Sequence, residues 1–516
     1  MNARLASISK TRVTWKNTTR NVEVSPLRYF FPRQVDDLVA IVQDADAHGL
    51  RVRAVGSGHS FSEVAKGRDY LLNMQYLDKV AQVDPQGLHE RHRGQGDNAR
   101  YYVEAEAGIT IKNLNIVLDG MGLALLNMGA VNFQTVSGAL ATATHGSGIT
   151  MPAFPDMVRS ILLVTGGGQL IRLEPADGIT DPATFTPRHG EALVQDDDLF
   201  YSTLVSFGAM GIMYALTLEV VPAFMIKEQR VMMDWNVLRE ELIRGDFIEK
   251  VVRNYDYVSF RVNPYEVDGQ HLCSVVLQEI IPGPPKLSLN ARYKNLKTSI
   301  LGNIPLLPLF TIWYLNRFPK AIPGSINSFL KGTKDKIFIG KSYRTLFQSG
   351  TNIRRHGISS EFAFPVDGAL IVSVVETIFR QALENVARGN LYQSSHIPVR
   401  FVPASQAYLS TAYGRETAYV DIPLLQNTVG DYEILERYQD LIFTHGGIPH
   451  WGKINNRLYG KIDITQKNFP RLGIWQRVRA QLDPKGTFIS VFMEQAELIP
   501  RHLDTVAVNP GVLHEE

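Results

Sequence analysis

The chain has 516 residues, 45% of them apolar, so it can bury a large core and should divide into more than one domain. Its 53 basic and 51 acidic residues leave a formal charge of +2 and no basic run, which excludes a nucleic-acid footprint. One cysteine, Cys273, excludes an intrachain disulfide framework and a cysteine-built metal centre; residues 1–20 are too polar for a secretory signal, so a cytoplasmic location is expected.

Leu38, Ile41, Val42 and Ala45 fall on one helical stripe, with acids in the first turn and Gly49 as a stop, which predicts a helix across 35–45. The alternating run 50–55 then reads as a strand, with Gly56-Ser57-Gly58-His59-Ser60-Phe61-Ser62 as a tight loop at its end. Two glycines two apart let the backbone turn its N–H groups to a ligand, and the serines add hydroxyl donors. Phe61 replaces the third glycine of a dinucleotide fingerprint, and the Gly-Lys-Ser/Thr of a P-loop is missing. His59, at the tip of the turn, fits either a functional role or a bond to a neighbouring carbonyl.

Residues 86–100 are polar. His89 and His92 would share a helical face there, but Gly87, Gly94 and Gly96 favour a surface loop, and no acid or cysteine completes a metal site. A strand is expected at 101–106 and a helix at 111–118. Across 134–148 nearly every residue is small or hydroxylated, a backbone able to wrap a pyrophosphate with N–H and O–H donors and no fixed positive charge. Asp196, Asp197 and Asp198 can cap a helix over 199–207, and Gly208 and Gly211 flank a turn into a strand over 212–221. Past Pro222 the composition changes. The apolar run 300–315 is broken by Pro305 and Pro308 and is shorter than the roughly 20 residues of a bilayer crossing. With Trp313, Tyr314, Arg317 and Lys320 at its end, it fits a wedge in one leaflet or a buried hairpin equally.

The loops at 56–60 and 138–148 together resemble the flavin loops of the vanillyl-alcohol oxidase family, and within it the aldonolactone and alditol oxidase branch, D-arabinono-1,4-lactone oxidase-like enzymes included. The resemblance runs from about Trp15 to Phe488. It implies an α+β fold: a two-subdomain PCMH-type FAD-binding domain over 15–222, a cap or substrate domain over 223–470 built on an antiparallel sheet with flanking helices, and a return to the FAD domain over 471–516. It also implies that His59 carries FAD covalently and that Gly56, Ser57, Gly58, Ser60, Thr135, Ser137, Gly138, Thr142, Thr144 and His145 contact it. Gly211 and Ile212 would lie near its adenine or pyrophosphate.

Further on, His450-Trp451-Gly452-Lys453 matches the branch's His-Trp-Gly-Lys signature, in which Lys453 would stabilise the negative charge the flavin gains with a hydride. Pro398-Val399-Arg400-Phe401 resembles a Glu-x-Arg-Phe strand whose arginine, Arg400, would hold the substrate oxygen. Pro398 stands where the glutamate should be. On a strand His396 shares a face with Arg400 and is expected to supply a base there, while Asp421 falls where alditol oxidases carry an active-site histidine, as if imidazole and carboxylate had exchanged places. Glu361 matches another family strand and is open to a structural role; Ser490 stands where the family has asparagine.

The implied reaction is oxidation of a CH–OH group of a sugar lactone or polyol by hydride transfer to flavin N5, with dioxygen as acceptor or an electron carrier in its place. Two alternatives stand beside it: the same chemistry on a lipophilic alcohol at a membrane surface, with peripheral contact through 300–320, and a flavin-binding partner protein without catalysis.

Overall fold

A computed structural model describes residues 3–93, 100–281, 289, 306–332, 334, 336–348 and 356–500. Its larger sheets have four, seven and eight strands. In the first, Val52–Val55 lies parallel to Tyr70–Asn73, which runs parallel to Arg28–Phe30. Parallel strands need a crossover, and the helix Val35–His48 provides it, with Leu38, Ile41, Val42 and Ala45 wholly buried. Gly49 ends that helix at φ 66° and returns its N–H to the Ala45 carbonyl. The sheet begins earlier than the boundary expected at Trp15: Ser9–Lys10 pairs with residues 29–30, after a helix at Ala3–Ser7.

The second sheet is organised on the strand Ile212–Pro222, which pairs antiparallel with Val158–Val164 and Tyr101–Glu106. The helix Asp197–Leu204 stops short of the expected 207, because Phe207 and Gly208 take φ 55° and 76° and turn the chain into that strand. Residues 94–99 of the expected surface loop lie outside the described residues; the rest of it holds a short helix, Glu90–Arg93, and the His92 ring bonds the Asp177 carbonyl.

The eight-stranded sheet runs in the order Phe338–Lys341, Met225–Asp234, Leu272–Ile281, Tyr257–Val262, Ile397–Val402, Thr417–Leu425, Gly357–Pro365 and Ile448–Pro449. The two-residue period gives it unlike faces. Phe260, Val399, Phe401, Val420 and Phe362 form one, packed in a core with the helices Trp235–Arg244, Gly368–Gly389 and Asp431–Phe443. The opposite face, turned to the first two sheets, carries Arg261, Arg400, Asp421 and Glu361, and little of it reaches water. Helices Leu472–Leu482 and Val491–Gln495 bring the chain back to the first sheet, where the Val52 N–H donates to the Thr487 carbonyl at 2.8 Å.

Residues 300–305 of the apolar segment lie outside the described residues. The helix Leu307–Arg317 follows, with Pro308 in its first turn, where the missing N–H has no helical partner to lose. It buries Ile312 and Leu315 but leaves Phe310 and Trp313 60% and 57% exposed. Among the described residues no helix is long and apolar enough to cross a membrane.

Asp156, in the turn Phe154–Met157, reaches across to the third sheet's side of the molecule, accepting from Ser405 Oγ at 2.8 Å and Gln406 N at 3.2 Å. Burial pushes its carboxyl up to about 6 against the pull of those bonds. The folded chain therefore holds this proton at pH values where the unfolded chain has released it, so stability falls as pH rises from about 4 to about 6, by roughly 3 kcal/mol for this group. Asp156→Asn should flatten that part of a plot of urea-unfolding free energy against pH; an unchanged slope would assign the dependence elsewhere.

Candidate active site

Gly56 follows the strand Val52–Val55 directly and packs on Thr135, so closely that a Cβ at 56 would stand 2.1 Å from Thr135 Oγ1. Gly58 takes φ 72° and folds the loop back against Trp15 and Asn17. Thr135 precedes a six-residue helix, Val136–Ala141, inside the stretch expected to be bare loop. A cleft of about 890 Å³, counted out to its open mouth, lies here. Gly56, Ser57, Gly58, His59, Ser60, Thr135, Ser137, Gly138 and Thr142 all line it, as does Gly211. Ile212 does not: it is buried in the sheet opposite Val164.

One fixed charge on this wall was not expected from the sequence. Arg53, 4% exposed, donates to the carbonyls of Phe207 and Phe488 beneath the cleft. Burial lowers its guanidinium to about 10, which leaves it cationic at neutral pH. Backbone N–H groups, hydroxyls and one arginine, with no acid among the described lining residues, make a donor set suited to a pyrophosphate.

A second cleft, also about 890 Å³ to its mouth, shares His59 and Gln134 with the first. Its far wall is the polar face of the eight-stranded sheet. Register sets one row of side chains across that face: Arg261 opposite Pro398, Pro398 opposite Asp421 one step beyond the Val399–Val420 pair, and Asp421 opposite Glu361. The turn 450–453 closes the row. Trp451 anchors it, wholly buried with Nε1 donating to the Leu409 carbonyl at 2.7 Å. The same turn holds the His59 loop: the Phe61 N–H donates to Gly452 O at 2.8 Å and the Ser62 hydroxyl to Trp451 O at 2.6 Å.

Charges converge where the row meets this turn. Glu361 Oε1 lies 3.5 Å from His145 Nε2 and 3.4 Å from Arg400 Nη1, and its Oε2 lies 3.5 Å from Lys453 Nζ. Lys453 Nζ also donates to Ser359 Oγ at 2.8 Å and lies 3.4 Å from Asp421 Oδ1. Burial by itself would raise the Glu361 carboxyl, but Lys453 and His145 more than offset it and hold the group well below the usual range. For Asp421 burial prevails over Lys453, with the charge of Glu361 adding to it, and the carboxyl is raised. Burial works against the Lys453 ammonium, yet the two acids outweigh it and raise that group.

The expected cofactor contacts Thr144 and His145 line this second cleft, where the His145 ring stacks on Tyr419 at 3.5 Å. His145, Glu361 and His450 lie close enough together to bind a metal ion. However, His450 Nδ1 already accepts the Gly452 N–H at 3.0 Å, the ring also bonds the Ala143 backbone, and Glu361 faces two cations, so two of the trio are already engaged with groups of the protein. His396 is not on the wall. Its ring stacks on Phe329 at 5.3 Å, and burial with Arg261, Arg400 and Arg230 nearby pushes it well below its ordinary value. The ionisable group paired with Arg400 is Glu361. A lone acid in the otherwise apolar or hydroxylated run 357–364 was the signal for it in the sequence.

Two family models match the chain: "FAD binding domain" over residues 26–174 and "D-arabinono-1,4-lactone oxidase" over residues 216–496. It is 26% identical over 483 residues to L-gulono-1,4-lactone dehydrogenase of Mycobacterium tuberculosis, covering 92% of this chain and 97% of that one. It is 24% identical over 497 residues to L-gulonolactone oxidase of Bos taurus, covering 94% and 98%. Among solved structures, cholesterol oxidase from B. sterolicum superposes with a TM-score of 0.70 at 15% identity over 94% of this chain and 96% of that one, a likeness of fold alone. The α+β, PCMH-type architecture expected from the sequence agrees with it. The first cleft fits FAD by its donors, and the buried Oε1 of Gln134, at the junction of the clefts, has no hydrogen-bond partner among the described residues and suits a ligand N–H.

Gly56→Ala must displace the Thr135 side chain and should cost about 1–3 kcal/mol of stability, read as a lower urea midpoint. Adding Thr135→Ala should recover most of that loss; a single variant as stable as the parent would contradict the packing described.

Proposed function

The chain belongs to the D-arabinono-1,4-lactone oxidase family and is an FAD-dependent lactone oxidoreductase; within that reading we propose that His59 carries the flavin covalently, that the second cleft takes the lactone, and that dioxygen receives the electrons. The observation that supports this best is that His59 and Gln134 belong to both walls: a group anchored at His59 would be in reach of a donor-lined cleft on one side and a charged one on the other. FAD, when bound, supplies the acceptor for the hydride that leaves the carbinol carbon.

The protein's own part is binding, orientation and charge. Gly56, Ser57, Gly58, Ser60, Thr135, Ser137, Gly138 and Thr142 offer donors to the phosphates, with Arg53 beneath them. Lys453, kept charged by Asp421 and Glu361, supplies a cation where negative charge develops. Arg400 is on hand to donate to the substrate oxygen. The corresponding division of labour assigns 15–222 to the cofactor, 223–470 to the substrate, and 471–516, of which 501–516 lie outside the described residues, to the return.

A peripheral membrane contact is a second, separate proposal. Phe310, Trp313, Tyr314, Phe318 and Phe329 are exposed together with Arg317 and Lys320 around the helices Leu307–Arg317 and Ile322–Lys331. Exposed aromatics beside basic side chains suit the interfacial zone of an anionic bilayer.

Anaerobic addition of D-arabinono- or L-gulono-1,4-lactone should bleach the bound flavin, with peroxide released when air returns. Acid precipitation should leave the chromophore in the parent pellet and in the His59→Ala supernatant; a yellow parent supernatant would remove the covalent bond and keep the rest. For the membrane contact, the parent should sediment with phosphatidylserine-containing vesicles and Phe310→Ser/Trp313→Ser should stay in solution; equal sedimentation of both would rule it out.

A further inference from the structure

Oxidising a carbinol sends the C–H electron pair to the oxidant and leaves the hydroxyl proton for another group to take. Position 398 carries a proline and His396 lies off the cleft wall, so neither supplies that group. Glu361 is on the wall, 2% exposed, in the same row of the sheet as Pro398 but two strands away, across Asp421. Its neighbours stand at 3.4 to 3.5 Å, with Arg400 Nη1 donating to Oε1, and three of them leave one of the roughly four lone-pair sites of a carboxylate open to a further donor. Arg400, one of those neighbours, is also the donor best placed to hold a substrate oxygen next to Glu361.

We propose that Glu361 accepts the hydroxyl proton of the substrate, and that Asp421, directly opposite it on the neighbouring strand, shares the Lys453 ammonium with it as a positioning residue. The inference rests on the lactone-oxidoreductase reading. In the step, the C–H bond breaks and its electron pair leaves as hydride to the oxidant FAD. The O–H bond breaks, its proton passes to a Glu361 carboxylate oxygen, and its electron pair forms the second bond of the product carbonyl. The substrate loses two electrons, and the oxidant gains them. Two buried carboxyls that share one ammonium compete for it, and the other neighbours of each decide which ionises more readily. Lys453 and His145 outweigh burial at Glu361 and hold it well below the usual range, while at Asp421 burial, with the charge of Glu361, outweighs Lys453 and raises the carboxyl.

The test is anaerobic stopped-flow reduction of the holoenzyme by lactone, from pH 5.5 to 9. Glu361→Gln should bind flavin and lactone, the latter within a few-fold by perturbation of the flavin spectrum, yet reduce about 10²- to 10⁴-fold more slowly. Its rate should rise about tenfold per pH unit, because hydroxide must replace the lost acceptor, where the parent is flat. Should Glu361→Gln fail to fold, Glu361→Asp keeps a carboxylate and should be slower yet still flat with pH. Asp421→Asn should lose about tenfold without acquiring a slope. A Glu361→Gln enzyme with the parent's rate and profile, a sloped Glu361→Asp, or a slope in Asp421→Asn in place of Glu361→Gln, overturns the proposal. Failure of the underlying reading looks different: no lactone would bleach the parent.

Discussion

A sheet buried on both faces can carry charge on one of them only if every charge there is answered. The eight-stranded sheet lives under that constraint. Glu361, Arg400, Asp421 and Lys453 are taken out of water together, and removing one partner of such a set leaves an uncompensated charge at a cost of several kcal/mol. The set therefore behaves as a unit. It also spans the molecule, because His145 comes from the region of the first two sheets and meets Glu361, which belongs to the third. The electrostatics that give the second cleft its character are thus also part of what sets the third sheet against the others.

The two clefts divide chemistry by donor type. The first is built where glycine lets backbone approach backbone: Gly56 against Thr135, and Gly211, at φ 143°, with its Cβ direction closed by the Val164 carbonyl. Few side chains intrude, so N–H and hydroxyl groups dominate, and Arg53 adds charge from below. The second is built where side chains from three strands, the 450–453 turn and loops of the first domain converge, and it is rich in ionisable groups. Hydrogen bonds from Phe61 and Ser62 to the 451–452 backbone keep the two in fixed relation. A motif near residue 59 and one near residue 451 are, physically, one structure.

The apolar segment after residue 300 illustrates why composition underdetermines environment. A wedge and a buried hairpin both call for such a run. In the fold, Ile312 and Leu315 do turn inward, while Phe310 and Trp313, on the same helix, face out. The proline that argued against a regular helix sits at the second residue of its first turn, where it is tolerated.

What the sequence determined by itself was local. The helix Val35–His48 and its glycine stop, the strands Tyr101–Glu106 and Ile212–Pro222, and the two glycine-bearing loops follow from periodicity, capping and backbone freedom, all properties of neighbouring residues. The face on which Arg400 lies was legible for the same reason. What the tertiary structure decided was adjacency. A period of two says that Glu361, Asp421 and Pro398 each point to one side of a strand, but not that their strands lie side by side in a register setting 361 against 421. Nor can it say that the His396 ring turns away to Phe329, or that Arg53 ends beneath a cleft. Pairing between strands is chosen by the whole core at once, and the ionisation of each buried group then follows from the neighbours that choice provides.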